Sequence, residues 1–142
     1  MKIFVYGTLR KNQKNYNKFL KGLVISTMDT YIIGKLYSLK NKDYPALISG
    51  NRFIKGELLE INDNPELLNT LSKLEGFIES GNINNEYNLV EEDIYNDNFK
   101  FIGRYQTFKY NEANDEIRAY LDKVIEENDF CKYMSNKRII SE

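Results

Sequence analysis

Histidine is absent from this chain of 142 residues. Its absence excludes catalysis by Ser-His-Asp or Cys-His arrangements, zinc sites built from histidine, and histidine as a general base. An enzyme of this sequence that moves protons near neutral pH therefore needs a different proton carrier. The obvious one is a carboxylate whose pKa is raised by its surroundings.

Cysteine and long apolar runs are also scarce. Cys131 has no second cysteine with which to form a disulfide, which agrees with a reducing compartment. The N-terminal stretch KIFVY is too short for the apolar core of a signal peptide, and no apolar run approaches the roughly 20 residues of a membrane-spanning helix. We therefore expect a cytoplasmic protein without a membrane partner.

An excess of charge of either sign is lacking too. The sequence has 20 Lys and Arg against 21 Asp and Glu, so its net charge of −1 creates no general attraction to nucleic acid. Apolar residues make up 42% of the chain and aromatic residues 13%, which excludes a disordered protein. No repeat, linker or shift in composition divides the sequence, so we expect one domain over residues 1–142. No pattern in the sequence indicates an oligomeric state.

Several segments rich in β-branched and aromatic residues predict strands. They cover residues 2–6, 24–39, 51–61, 87–95 and 99–110. Pro45 marks the edge or start of a further extended segment at 43–48. Gly34 is a candidate β-bulge or point of close approach, and Gly56 is a second candidate bulge.

Helical patterns interrupt these strands. Residues 16–22 predict a short helix or turn that ends at Gly22. The clearest helix has Asn64 as its N-cap and Pro65 at its first position, and it ends near Gly76. A second helix is predicted from Asn114 onward by an apolar stripe of Ile117, Tyr120, Leu121, Val124 and Ile125. The order of elements predicts an α+β fold with a curled sheet or small barrel.

Glu75 is the candidate proton carrier. On the first predicted helix it lies four residues after Leu71 and seven after Leu68, on the face that points into the core. Burial disfavours the ionised carboxylate and would raise its pKa toward neutrality. The alternative is that Glu75 lies at a frayed helix end and turns into water.

The first predicted strand ends in Tyr6-Gly7-Thr8-Leu9. Because Gly7 has no Cβ, the backbone N–H groups after this strand can form a concavity that binds a carboxylate or phosphate. A single glycine falls short of a phosphate-loop or dinucleotide fingerprint, and a plain turn is the alternative.

Four short stretches nevertheless occur in a characteristic order: VYGTLR, YPAL, KGELLEI and LEGF. This set resembles the gamma-glutamylcyclotransferase-like superfamily, in particular its branch related to gamma-glutamylamine cyclotransferases, from Met1 to about Tyr110. The stretch IEENDF at 125–130 is similar to the family's Ile-x-x-Gly-Asp-Trp, with Asn128 and Phe130 in the glycine and tryptophan places.

The resemblance implies a small mixed-strand β-barrel with peripheral helices and a pocket at its mouth. In this family the loop that matches Tyr6 to Leu9 supplies backbone donors for the α-carboxylate of a γ-glutamyl group. The glutamate that matches Glu75 is the acid–base residue, and Tyr87 is retained from a Tyr-x-Arg motif beside the site. The expected partner is a small γ-glutamyl compound, and neither a metal nor a cofactor is expected.

The reaction implied by the resemblance releases 5-oxoproline from a γ-glutamyl-amine or a related compound. The substrate's own α-amine attacks its γ-carbonyl, the five-membered ring closes and the amine portion departs. Glu75 would accept a proton from the α-ammonium group and return it to the leaving nitrogen.

One departure keeps other hypotheses open. Leu89 stands where many relatives carry the arginine of Tyr-x-Arg. A non-catalytic module that binds a small carboxylate metabolite is therefore the alternative function, and phosphate-ester or nucleotide binding at Gly7 is a third. The amine part of the substrate is not encoded in any motif. Loop 78–86 has the length and polarity of either a mobile flap or an ordinary surface loop.

Overall fold

The computed structural model describes residues 1–141, with side chains described through Lys137. Within this part of the chain the strands are β1 (Lys2–Val5), β2 (Val24–Leu39), β3 (Ala46–Ile61), β4 (Tyr87–Tyr95), β5 (Phe101–Tyr110) and β6 (Leu121–Val124). The helices are α1 (Pro65–Leu74), α2 (Asp115–Arg118) and α3 (Phe130–Ser141), with a π-helical turn at Tyr16–Leu20. None of the described helices has the length and apolar character needed to span a membrane.

The six strands form one mixed sheet in the order β3-β1-β5-β4-β2-β6. Strand β3 also pairs with β2, so five of the strands close into a barrel-like ring and β6 extends it at β2. Strands β1 and β5 run parallel, and the other pairs are antiparallel. This arrangement confirms the predicted α+β class with few helices.

Strand β1 is buried on both faces, which fixes where its end lies. Ile3 and Val5 belong to a cluster that includes Leu67 and Leu71 of helix α1. The residues between and after them, Phe4 and Tyr6, belong to a second cluster with Ile32, Ile54 and Ile94. Because alternate side chains of a strand point to opposite faces, both sides of β1 are covered. The turn that follows β1 therefore starts from a rigid position.

The predicted helix from Asn114 onward is wrong beyond its first turn. Helix α2 ends at Arg118, and residues 121–124 form strand β6 against β2. Leu121 pairs with Leu39 and Val124 with Tyr37, so sheet pairing covers the apolar stripe that the sequence assigned to a helix face. A short apolar run fits both the helical period of about 3.6 residues and the strand period of about 2, so pairing with another strand decides which element forms.

Two further expectations needed revision. The segments at 43–48 and 51–61 belong to one long strand, β3, which starts directly after Pro45. Gly34 does mark a register shift against β3, as expected of a bulge. Gly56 marks no register shift, since it pairs in register with Thr30. A Cβ on Gly56 would instead collide with the backbone of Val5 and a neighbouring ring, so this glycine allows β1 to approach β3.

Candidate active site

Helix α1 places Glu75 at the site. Its first turn is capped by Asn64, whose Oδ1 accepts a hydrogen bond from the N–H of Leu67 at 3.1 Å. The chain leaves the helix at Glu75, whose N–H still donates to the carbonyl oxygen of Leu71 at 3.0 Å. Gly76 follows with a φ of +64°, a left-handed conformation that favours glycine at a helix end. These bounds confirm the predicted helix.

The Glu75 side chain lines a pocket rather than a frayed helix end. Burial raises the pKa of its carboxyl group to about 8, and the nearby negative charge of Glu86 contributes to the same rise. Among the described residues, no group donates a hydrogen bond to this carboxyl group. A carboxyl group of this kind is able to take up and release a proton near neutral pH.

The turn after β1 forms another wall of the pocket. Its carbonyl and hydroxyl groups are bonded inward: the Gly7 oxygen accepts from the N–H of Arg10 at 3.0 Å, and the Thr8 hydroxyl accepts from the Asn15 amide at 2.8 Å. Among the acceptors that the structure describes, none accepts a hydrogen bond from the N–H groups of Gly7, Thr8 or Leu9. Since buried backbone donors are almost always paired, three unpaired donors beside a pocket point to an anionic ligand.

Gly7 is required by its neighbour Pro45. A Cβ at position 7 would lie 2.8 Å from Cδ and 2.9 Å from Cγ of Pro45. Pro45 is itself held by Tyr87, whose hydroxyl donates to the Pro45 carbonyl at 2.6 Å. The Tyr6 hydroxyl donates to the carbonyl of Phe108 at 2.5 Å. Both phenols are therefore committed to backbone oxygens and shape the pocket wall.

The two tyrosines also stay neutral. Burial raises the pKa of the Tyr6 and Tyr87 phenols well above the usual value, and the Glu75 charge acts in the same direction on both. A pocket lined by neutral phenols gives the Glu75 carboxylate no cationic partner, which maintains its high proton affinity.

All six residues singled out from the sequence line one pocket: Tyr6, Gly7, Thr8, Leu9, Glu75 and Tyr87. The other residues that line the pocket are Val5, Tyr44, Pro45 and Phe108. The pocket is narrow, with a cavity of about 30 Å³ and about 320 Å³ of empty space when its open mouth is counted. Among the described residues, no cluster of three or more Cys, Asp or Glu side chains could hold a metal ion.

Glu86 and Lys42 are neighbours of the site that sequence reasoning missed. The Glu86 carboxylate accepts from the Tyr44 hydroxyl at 2.9 Å and from Lys42 Nζ at 2.7 Å. Tyr44 itself stood out only because it precedes Pro45 in the YPAL stretch. No sequence signal marks Glu86, since it is the last residue of a polar loop and its partners are distant in the chain.

A buried ion-pair network supports the turn after β1. Arg10 donates through Nε to Glu57 at 2.9 Å and through a terminal nitrogen to Asp129 at 2.8 Å. The other Glu57 oxygen accepts from the N–H of Lys11 at 2.7 Å. Asp129 belongs to the stretch that resembles Ile-x-x-Gly-Asp-Trp, in which Asn128 takes the glycine place with a φ of +55°. That stretch therefore anchors the turn.

Leu89 occupies an apolar position on β4. It pairs in register with Phe108 and packs partly buried against the core cluster that contains Tyr87. Loop 78–86 is tied down through Asn85, whose side chain accepts from the N–H of Ile78 at 2.6 Å and donates to the Glu79 carbonyl at 2.8 Å. Within the described chain, no residue of this loop lines the pocket.

Comparison with known proteins gives consistent matches. The family model for gamma-glutamyl cyclotransferase, AIG2-like, matches residues 3–132. The gamma-L-glutamyl-butirosin B gamma-glutamyl cyclotransferase of Niallia circulans is 32% identical over 89 residues, which cover 63% of this chain and 54% of that protein. The match thus spans about half the length of that relative.

Solved structures share the fold. An uncharacterized protein from Pyrococcus horikoshii superimposes with a TM-score of 0.63 at 24% identity, covering 97% of this chain and 96% of that one. An AIG2-like protein from Mus musculus superimposes with a TM-score of 0.62 at 18% identity, covering 85% and 83%. At these identities the likeness shows a common fold.

Proposed function

Because the chain belongs to the AIG2-like gamma-glutamyl cyclotransferase family, we propose that it releases 5-oxoproline from a γ-glutamyl-amine or a related γ-glutamyl compound. One observation carries the proposal. A carboxyl group with a pKa near 8, on Glu75, shares a narrow pocket with three backbone N–H groups that have no acceptor in the described chain.

The N–H groups of Gly7, Thr8 and Leu9 bind the α-carboxylate of the substrate in this proposal. They lie at the end of a strand that is buried on both faces, so they are held in place before the substrate arrives. Donors that are already oriented bind an anion without reorganisation. The Arg10 network and the Pro45 contact keep this turn in position.

Glu75 moves the proton. In its ionised form it removes a proton from the α-ammonium group, which frees the amine to attack the γ-carbonyl carbon. A bond forms between the α-nitrogen and this carbon, and the bond from the carbon to the leaving nitrogen breaks. Glu75 returns this proton to the leaving nitrogen, and the second proton that the α-nitrogen loses as the ring amide forms passes to the same nitrogen, so the products are 5-oxoproline and the protonated amine.

The reaction needs no second substrate, because nucleophile and electrophile belong to one molecule. Holding the substrate folded converts the attack into an oriented intramolecular step, which lowers the entropic part of the barrier. As written, it also needs no metal or cofactor. The pocket is open on one side, so the amine part of the substrate extends through its mouth.

An isotope experiment separates this reaction from hydrolysis. The protein is incubated with a γ-glutamyl-amine in H₂¹⁸O, and the products are identified by mass spectrometry. We expect equal amounts of amine and 5-oxoproline, and the 5-oxoproline contains no ¹⁸O because water does not attack. Glutamate that contains ¹⁸O would show hydrolysis and contradict the proposal.

A non-catalytic binding module is the second candidate, and Leu89 is the observation that favours it. An apolar side chain stands where the family resemblance implies an arginine beside the site. This candidate requires that 5-oxoproline or glutamate raises the melting temperature while no γ-glutamyl compound is consumed. Turnover of any γ-glutamyl-amine excludes it.

A further inference from the structure

Glu86 connects the mouth of the pocket to the end of helix α1. Its carboxylate oxygen Oε2 accepts hydrogen bonds from both the Tyr44 hydroxyl and Lys42 Nζ, at 2.9 and 2.7 Å. The side chains of Glu86 and Lys42 are each 25% exposed, so water screens this ion pair only in part. Tyr44 lines the pocket, and its ring lies 6.2 Å from that of Tyr87.

The backbone fixes Glu86 next to Glu75. The N–H of Glu86 donates to the carbonyl of Gly76 at 3.0 Å, and the N–H of Tyr87 donates to the carbonyl of Glu75 at 3.2 Å. The Cβ of Glu86 lies 3.0 Å from the point where a Cβ on Gly76 would stand. A side chain at position 76 would therefore displace Glu86 from this position.

We propose that Glu86 and Lys42 are a pair of positioning residues for the reaction of Glu75, and this inference rests on the proposed function. Glu86 holds Tyr44 against the pocket and places a negative charge beside the Glu75 carboxyl group. Lys42 limits the effect of that charge. Neither side chain touches the reacting atoms, so both act through Glu75 and Tyr44.

The groups that face Glu75 support this assignment. The end of β1 contributes Tyr6, the connection between β2 and β3 contributes Tyr44, and Glu86 and Tyr87 lie where loop 78–86 meets β4. Lys42 pairs with Glu86 behind this group. The phenols are neutral at neutral pH, with pKa values that burial raises. Glu86 is thus the charged neighbour that raises the pKa of Glu75 after burial itself.

Two substitutions shift the pH profile in opposite directions. Glu86→Gln keeps an acceptor for Tyr44 but removes the negative charge. We therefore expect the pKa of the Glu75 carboxyl group to fall. Lys42→Met leaves the negative charge of Glu86 without its cationic partner. We therefore expect the pKa of the Glu75 carboxyl group to rise. We expect the acid limb of kcat/KM to move by about 0.5–1 pH unit, downward for Glu86→Gln and upward for Lys42→Met.

A third substitution separates the two roles of Glu86. Tyr44→Phe keeps the ion pair and removes only the hydroxyl that Glu86 holds. We expect a raised KM with the acid limb in its wild-type place. The matched controls are Asp93→Asn and Arg104→Gln, which break an exposed ion pair elsewhere on β4 and β5 and leave the profile unchanged.

The outcomes are distinct from those that test the reaction itself. If turnover still depends on Glu75, the inference is overturned when Glu86→Gln and Lys42→Met keep the acid limb of the wild type. It is also overturned when both variants shift the acid limb in the same direction. Turnover that survives Glu75→Gln overturns the proposed function instead. If Glu86→Gln melts below the assay temperature, Lys42→Met alone tests the inference. An upward shift of its acid limb supports the inference, and an unshifted acid limb overturns it, because a purely structural role for the pair does not change the pKa of Glu75.

Discussion

The backbone N–H of Tyr87 donates to the carbonyl oxygen of Glu75 at 3.2 Å. This hydrogen bond joins the end of helix α1 to the start of strand β4, so the barrel-like sheet holds the carboxyl group that the helix presents. Tyr87 in turn donates through its hydroxyl to Pro45, which lies against Gly7. A chain of direct contacts therefore links Glu75 to the turn after β1.

The raised pKa of Glu75 has a consequence for stability. The ordinary pKa is 4.5 and the folded value is about 8, so between these pH values the unfolded chain loses a proton that the folded chain keeps. The free energy of unfolding of the wild type therefore falls as pH rises through this window and levels off above it. Glu75→Gln removes this titration.

Urea unfolding at pH 5, 6, 7 and 8 checks this. We expect Glu75→Gln to gain stability relative to the wild type at each step, by at most about 1.4 kcal/mol per pH unit. Glu79→Gln, on the exposed part of the following loop, serves as the control and follows the wild type. A constant difference between Glu75→Gln and the wild type would show that Glu75 keeps an ordinary pKa.

The sequence specified much of this arrangement. Strands β2 and β4 coincide with the predicted segments 24–39 and 87–95, since long runs of β-branched and aromatic residues have few alternatives. Helix α1 was recognisable because its cap, Asn64, and its first residue, Pro65, are local signals. The six predicted site residues meet in one pocket because the motif order encodes a shared fold.

The remainder depends on contacts between distant parts of the chain. The sequence predicts a helix at residues 121–124 because their apolar spacing fits the period of a helix as well as that of a strand. Only the pairing of β6 with β2 decides between the two. Glu86 has no local signal, because its role comes from Lys42 and Tyr44 on another connection. Such pairs are set by the folded topology rather than by any local pattern.

Gly7→Ala tests the close approach of Pro45. The added methyl group lies 2.8 Å from Pro45 Cδ, so either the proline or the turn has to move. We expect a loss of about 1–3 kcal/mol in unfolding free energy and weaker binding of 5-oxoproline, because the N–H groups move with the turn. Isothermal titration calorimetry measures the affinity.

Gly22→Ala provides the matched control. Its φ of +87° strains an alanine, but nothing lies within 4 Å of the added group. We expect about 1–2 kcal/mol of lost stability with unchanged affinity. Equal affinities in the two variants would refute a binding role for the turn after β1.

Arg10→Met tests the buried network behind this turn. It leaves the carboxylate of Glu57, which is only 7% exposed, with the Lys11 N–H as its remaining partner. Removing one partner of a buried pair costs about 3–5 kcal/mol, and thermal unfolding measures the loss. Arg104→Met breaks an exposed pair with Asp93 and is expected to cost about 0–1 kcal/mol. Similar losses in both variants would contradict the anchoring role of Arg10.

Asn128 tests the left-handed position before helix α3. Its φ is +55°, and its side-chain Oδ1 is buried without a hydrogen-bond partner. Asn128→Gly relieves both features, so we expect its melting temperature to equal or exceed that of the wild type. Asn128→Ala is expected to lose about 1–2 kcal/mol. An alanine variant that is more stable than the glycine variant would show that the left-handed backbone at position 128 does not limit stability.

The most direct measurement is the rate of 5-oxoproline release by the wild type and by Glu75→Gln. The substrates are a panel of γ-glutamyl-amines, γ-glutamyl dipeptides and glutathione, and circular dichroism confirms that both proteins are folded. We expect release from at least one substrate by the wild type, with an acid limb near pH 8, and none above background by Glu75→Gln. Equal release by the two proteins would contradict the mechanism. If the folded wild type releases no 5-oxoproline from any substrate of the panel, the proposed activity is contradicted.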